Sequence, residues 1–262
     1  GVHAAHEGAP LLLVSDLDGT MVGNDAAGAE FSAFWRRRHA AAGSVLCYST
    51  GRSLAQFEAL REELPRGALL APDALVTGVG TRVYAPDGFT GGFAEDEDWA
   101  QRLRVSWDGA HAADALDAVL GGSRGGVADE VRPLGADDQG EYKRSLLARA
   151  DVAAEVAEEL LAALEERGSK GKVVASGDGE YVYVDLLPRE AGKRTAMEYV
   201  RDAFAVDPAR VVACGDSAND VDMLAGAHNA VCVGNAQPAL MEWAKTEAAA
   251  RGDAEDSPRL LV

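Results

Sequence analysis

Two rhythms of apolar and polar positions run along the chain. Residues 11–15 (LLLVS) form an unbroken apolar run that stops at an acidic loop, DLDGT (16–20). A short run of this kind, bounded by turn residues, predicts a strand buried on both faces. Over 29–43 (AEFSAFWRRRHAAAG) the spacing becomes helical, with Phe31, Phe34 and Trp35 on one face and Gly43 as a stop. A second apolar run, SVLCYS (44–49), ends in TGR. Ser53 stands where a cap is needed for the helix LAQFEALREEL, which Pro65 closes. DALVTGVGTRVYAPDG (73–88) reads as a strand, a glycine turn and a short strand. This order, β-α-β-α-β, predicts a mainly parallel sheet covered by helices.

The pattern changes over 87–187. Glycine-rich joints (GGF, GGSRGG, LGADDQG) separate a helical piece, AHAADALDAVLG, and a strand, YKRSLLA. DVAAEVAEELLAALEERG is predicted as a helix capped by Asp151 and ended by Gly168. GKVVAS and EYVYVDLLP, joined through SGDGE, predict a hairpin. After Pro188 the parallel pattern resumes: helix GKRTAMEYVRDAF, strand RVVACGDS, helix NDVDMLAGA, strand NAVCVGN, helix PALMEWAKTEAAA. The fold expected is therefore α/β, a Rossmann-like parallel sheet with helices on both faces. Its core is discontinuous, 1–86 and 188–262, with an inserted α/β cap domain at 87–187.

Charge narrows the choice of partners. Against 25 basic residues the chain sets 43 acidic ones, a net charge of -18. Such a surface repels nucleic-acid phosphates and anionic lipid heads, so neither is an expected partner. It also repels an anionic substrate, which calls for a local positive pocket or a metal ion. No apolar stretch approaches the ~20 residues of a membrane-spanning helix. Cys47, Cys214 and Cys232 each lie in an apolar run without ligand spacing, which fits core positions and a reducing, cytoplasmic compartment. The opening GVHAAHEGAP lacks both Met and the apolar segment of a signal peptide, and predicts a processed or excised chain.

The chemistry gathers at strand ends, where ligands bind in open parallel sheets. Asp16 and Asp18 follow the first strand. Two carboxylates at this spacing can divide phosphoryl transfer, with Asp16 attacking phosphorus and Asp18 passing a proton to the leaving oxygen and then activating water. An anionic nucleophile facing an anionic phosphate calls for a divalent cation, and Mg²⁺ suits oxygen ligands. Thr50 follows the second strand, where its hydroxyl and the Gly51 amide can hold a phosphoryl oxygen. Lys193 opens a helix and can neutralise both the phosphate and Asp16. In CGDSAND, Asp216 ends a strand and can ligate the metal. Asn219 and Asp220 open the next helix, and Asp220 can bind the metal or its waters, or orient Lys193.

These motifs, DLDGT, STGR, GK and GDSAND, resemble the four motifs of the haloacid-dehalogenase superfamily. LLLVSDLDGTMVG, YSTGRS, PDALVTGVGTRVY, VDLLPREAGK, VVACGDSANDVDML and GNAQPALMEW resemble the sucrose-6-phosphate phosphatases more closely still. In the insert the likeness is limited to SWDGAHAADAL, YKRS and the final hairpin. The resemblance implies Asp16 as nucleophile and metal ligand, and Asp18 as acid/base with its carbonyl on the metal. It implies Thr50 and Lys193 on the phosphate, Asp216 on Mg²⁺ with Asp220 beside it, and a cap that recognises the sugar. Gly51, Arg52, Arg82, Lys143 and Asn219 complete the set expected to contact substrate. Arg82 stands where the family has Glu, which exchanges an acceptor for a cation and points to substrate choice. The implied activity is hydrolysis of sucrose-6-phosphate, with sucrose-phosphate synthase as a partner. Alternatives are a phosphatase for glucosylglycerate or mannosylglycerate phosphate, and a non-catalytic phosphatase-like domain of a sucrose-phosphate synthase. Retention of both Asp16 and Asp18 favours catalysis. SPRLLV (257–262) reads as a last strand, and the resemblance implies a closing helix beyond it that this chain lacks.

Overall fold

The computed structural model describes residues 10–122, 130–177, 179–226, 228–251 and 259–262. Most of the amino-terminal GVHAAHEGAP, most of the GGSRGG joint, Asp178 in the hairpin turn, Ala227 at the end of NDVDMLAGA, and the start of SPRLLV lie outside them. The chain divides into two units, Gly1–Glu95 with Lys193–Val262, and Asp96–Gly192.

The first unit begins with β1 (Leu12–Ser15), α1 (Asp25–Arg38), β2 (Val45–Ser49), α2 (Leu54–Glu63), β3 (Ala74–Thr77), β4 (Arg82–Pro86) and β5 (Phe93–Glu95). Asn24 caps α1 by accepting from the Ala27 amide, so this helix starts before the aromatic stripe that announces it. Ser53 caps α2 as expected and forms a reciprocal capping box with Gln56. β5 pairs antiparallel with β4, which carries the first unit as far as Glu95.

The second unit holds α3 (Glu97–Arg104), α4 (Gly109–Gly121), β6 (Val131–Pro133), β7 (Arg144–Arg149), α5 (Ala153–Glu166), β8 (Gly171–Ser176) and β9 (Tyr181–Pro188). Its sheet runs β6-β7-β9-β8 and is antiparallel throughout. Leu146, Ala148, Val184 and Leu186 alternate onto one face, and all are fully buried, as are Val156, Leu160 and Leu164 of α5. Ser145, Asp185 and Tyr183 alternate onto the other. Asp151 does not cap α5. Its carboxylate takes the Arg149 guanidinium instead, and the cap position falls to Val152.

The chain then returns to the first unit with α6 (Lys193–Ala203), β10 (Val211–Gly215), α7 (Val221–Leu224), β11 (Asn229–Cys232), α8 (Pro238–Arg251) and β12 (Leu260–Leu261). The eight-stranded sheet runs β12-β11-β10-β1-β2-β3-β4-β5, parallel from β12 to β3 and antiparallel beyond. Leu13, Leu46, Tyr48 and Leu75 pack on one face with Trp35 of α1 and Phe57 of α2. Leu12, Val14, Cys47 and Val76 alternate onto the other. The three cysteines are free thiols, Cys47 and Cys232 buried and Cys214 half-buried. No helix among the described residues is long and apolar enough to cross a membrane.

Candidate active site

β1 lies at the centre of the parallel run, between β10 and β2, so the residue after it sits at the middle of the sheet's carboxyl edge. That residue is Asp16. Its amide donates to the Cys214 carbonyl at 2.9 Å, which continues the β1–β10 ladder by one step and fixes the backbone. Its side chain is buried, and Lys193, the first residue of α6, donates to Oδ1 at 2.7 Å. The same ammonium donates to Asp220 Oδ1 at 2.6 Å. Asp220 is fully buried, and its other oxygen accepts from the Asp216 and Ser217 amides, both at 3.1 Å. Both Asp220 oxygens are thus engaged in holding Lys193 and the 216–217 loop.

Close backbone approach makes this possible at two glycines. A Cβ on Gly215 would stand 2.5 Å from Asp220 Cβ, and one on Gly19 would stand 2.4 Å from Asp216 Oδ2. Thr20 Oγ donates to Asp216 Oδ1 at 3.3 Å. Asp16, Asp216 and Asp220 bring carboxylate oxygens within 4.8 Å of one another. Three carboxylates around one ammonium leave a local excess of negative charge that suits a hard divalent cation with oxygen ligands.

Burial dominates the titration of this group. It pushes the Asp16 carboxyl up to about 7; Lys193 pulls the other way, and Asp220 and Asp216 add to the rise. Asp216 is raised as well, by burial first and Asp220 second. Burial disfavours the Lys193 ammonium, but Asp220 and Asp16 more than offset it, so its pKa lies above the ordinary lysine value.

Asp18, Thr50, Gly51, Arg52, Arg82 and Asn219 belong to the same unit. Arg52 donates to both oxygens of Asp18, from Nε at 2.8 Å and from a terminal nitrogen at 2.7 Å. Thr50 is buried, and its Oγ accepts from the Arg52 amide at 3.2 Å. Asn219 accepts from Ser217 Oγ at 3.0 Å and belongs to the 216–220 turn. Asn235, which sequence reasoning assigned no role, donates to the Gly19 carbonyl at 2.7 Å and ties the loop after β11 to the loop after β1. Its signal was the GNAQ segment at a strand end. Arg82 lies on β4 and is paired with Glu95 of β5. Lys143 lies in the second unit, 3.6 Å from Asp185, which also accepts from Ser145 Oγ at 2.5 Å.

A mainly parallel sheet with a second unit inserted between β5 and α6 is a fold shared with solved haloacid-dehalogenase-like hydrolases. Within it the chain belongs to the sucrose-6F-phosphate phosphohydrolase family, whose model matches residues 9–255. It is 32% identical over 265 residues to a probable sucrose-phosphatase 3a of Arabidopsis thaliana, covering 97% of this chain and 56% of that protein. A mannosylfructose-phosphate phosphatase of Agrobacterium fabrum is 31% identical over 235 residues, covering 89% of this chain and 86% of that one. The solved sucrose-phosphatase of Synechocystis sp. PCC6803, in complex with sucrose and phosphate, superimposes with a TM-score of 0.73 at 30% identity, covering 97% of this chain and 91% of that one. The chain spans about half the length of the plant sucrose-phosphatases it matches.

Proposed function

We propose that this chain hydrolyses sucrose-6-phosphate to sucrose and phosphate through an aspartyl-phosphate on Asp16, with Mg²⁺ as cofactor. The observation that carries the reading is the buried Asp16–Lys193–Asp220 triad at the sheet's carboxyl edge. A carboxylate kept there at the cost of burial, with one oxygen held by an ammonium, is aimed and charge-compensated as a nucleophile requires. Family membership and the likeness to a structure containing sucrose and phosphate support the substrate.

Asp16 and Asp216 supply oxygen ligands of the kind Mg²⁺ takes, and Asp220 acts mainly by holding Lys193. An ion held by these residues would offset the repulsion between an anionic nucleophile and an anionic phosphoryl group. In the first step an Asp16 oxygen bonds to phosphorus as the bond from phosphorus to the sugar oxygen breaks, and Asp18 gives that oxygen its proton. In the second, Asp18 takes a proton from water, whose oxygen bonds to phosphorus and frees Asp16. Arg52, which donates to both Asp18 oxygens, fixes the direction in which this carboxyl faces. Thr50 Oγ and the Gly51 amide hold the phosphoryl oxygens, with Lys193 beside them. Lys143, set beside Asp185 and Ser145 in the second unit, is our candidate for contacting sugar hydroxyls.

A second reading concerns the sugar alone. The Agrobacterium relative acts on mannosylfructose phosphate and is matched over most of its length. A phosphate-release assay over sucrose-6-phosphate, mannosylfructose phosphate and simple hexose phosphates separates the two. We expect the highest kcat/KM on sucrose-6-phosphate, with loss of turnover in excess EDTA. A preference for mannosylfructose phosphate replaces the substrate, and undiminished turnover in EDTA removes the metal.

A further inference from the structure

The turn between β3 and β4 contains a backbone state that its sequence does not favour. Gly78, Val79 and Gly80 all have positive φ, at 57°, 59° and 85°. Glycine enters this region freely, whereas a β-branched residue meets its own carbonyl there. Val79 and Ala205 are the non-glycine residues so placed among the described residues. Ala205 follows the end of α6, but Val79 is 97% buried and lies against the loop assigned to phosphate.

The turn holds that loop through its amides. Val79 N–H donates to the Thr50 carbonyl at 3.0 Å, and Gly78 N–H donates to the Arg52 carbonyl at 2.9 Å. Thr50 N–H is itself bonded to the Val76 carbonyl at 2.9 Å, and Arg52 N–H to Thr50 Oγ at 3.2 Å. Of the three amides in Thr50–Gly51–Arg52, only that of Gly51 has no acceptor among the described residues. It is left to an incoming anion. The left-handed path brings two successive amides of the turn onto the carbonyls that bracket Gly51. Val79 Cγ2 lies 3.8 Å from where a Gly51 Cβ would be, and no other atom outside the chain neighbours comes within 4 Å of that point. A glycine at position 79 would reach the same φ without strain. A valine retained between two glycines therefore adds its side chain against Gly51 at the expense of backbone comfort, the pattern expected where strain serves a site.

We infer that Val79 is a positioning residue for the phosphate loop: its strained backbone and its side chain together fix the direction of the Gly51 N–H. This rests on the reading that Thr50 and Gly51 take the phosphoryl group. The test compares Val79→Gly and Val79→Asn, both of which tolerate positive φ, with Val83→Ala, which trims an equally buried residue of β4. Melting temperature, kcat and KM on sucrose-6-phosphate, and inhibition by inorganic phosphate are measured for each. For the Val79 variants we expect a fall in melting temperature no larger than that of Val83→Ala, because relief of the left-handed strain offsets part of the lost burial, while KM and the phosphate inhibition constant rise together by about 10-fold. Val83→Ala should lower the melting temperature and leave both constants within about 2-fold. Val79 variants that keep both constants within about 2-fold overturn the inference. So does a failure of both to fold, which would make Val79 a core residue only. Phosphate binding by the parent chain is measured directly. If it persists without sucrose-6-phosphate hydrolysis, the substrate reading fails while the comparison at Val79 still decides.

Discussion

Asp16 is under opposing demands. As a nucleophile it must ionise, yet burial pushes its carboxyl up to about 7 from 3.8, with Lys193 only partly opposing. An acid whose folded pKa is raised binds protons more readily in the native state than in the unfolded chain over that window. Its contribution to stability is therefore present below the lower value and is lost as pH rises towards the upper one. Asp16→Asn mimics the protonated form and leaves Asp220 to hold Lys193. At about pH 8 the metal-free variant should melt above the parent, and near pH 4 the two should agree. The same variant should show no phosphate release. A lower melting temperature at the higher pH would contradict the account of burial. The position of Asp16 could be read from DLDGT after an apolar run, and that of Lys193 from its place after a glycine at a helix start. The grip of Arg52 on Asp18 could not, because it depends on how a half-buried and an exposed side chain from separate loops meet. Nor could Val79, whose left-handed backbone runs against what its side chain favours.

Elements aim these residues, and the clearest local device is the capping box of α2. Ser53 and Gln56 satisfy amides at the helix start directly after the loop proposed to hold phosphate. Ser53→Ala should cost about 1 kcal/mol, seen as a lower urea midpoint at unchanged slope. An unchanged midpoint would mean that neighbouring contacts, not the cap, fix this helix start. Ser53 was legible because a cap residue preceded a periodic stretch. Asp151 looked equally plain before α5, but a nearby arginine competed for its carboxylate, and a one-dimensional pattern carries no such competition. β5 escaped notice for another reason. Three residues among glycines have no periodicity, and the strand is defined by its pairing with β4. The central parallel strands were legible because burial on both faces leaves an unbroken apolar run.

At the scale of the whole molecule, a net charge of -18 opposes binding of a phosphate ester at long range, and the site answers with local charge. A ligand that binds only the folded chain raises its melting temperature. If Mg²⁺ binds at Asp16 as proposed, it competes there with a proton, so Mg²⁺ should raise the melting temperature more at about pH 8 than at about pH 6. Asp16→Asn should remove most of that rise. An equal rise at both pH values would place the ion elsewhere. The central claim, covalent catalysis by Asp16, has a direct readout. The chain is quenched in denaturant during turnover of sucrose-6-phosphate, reduced with borohydride, and mapped by peptide mass. An aspartyl-phosphate is converted to homoserine by this treatment, so the account predicts homoserine at position 16, present only with substrate. Homoserine at position 18 instead, or steady phosphate release with no modified aspartate, would contradict it.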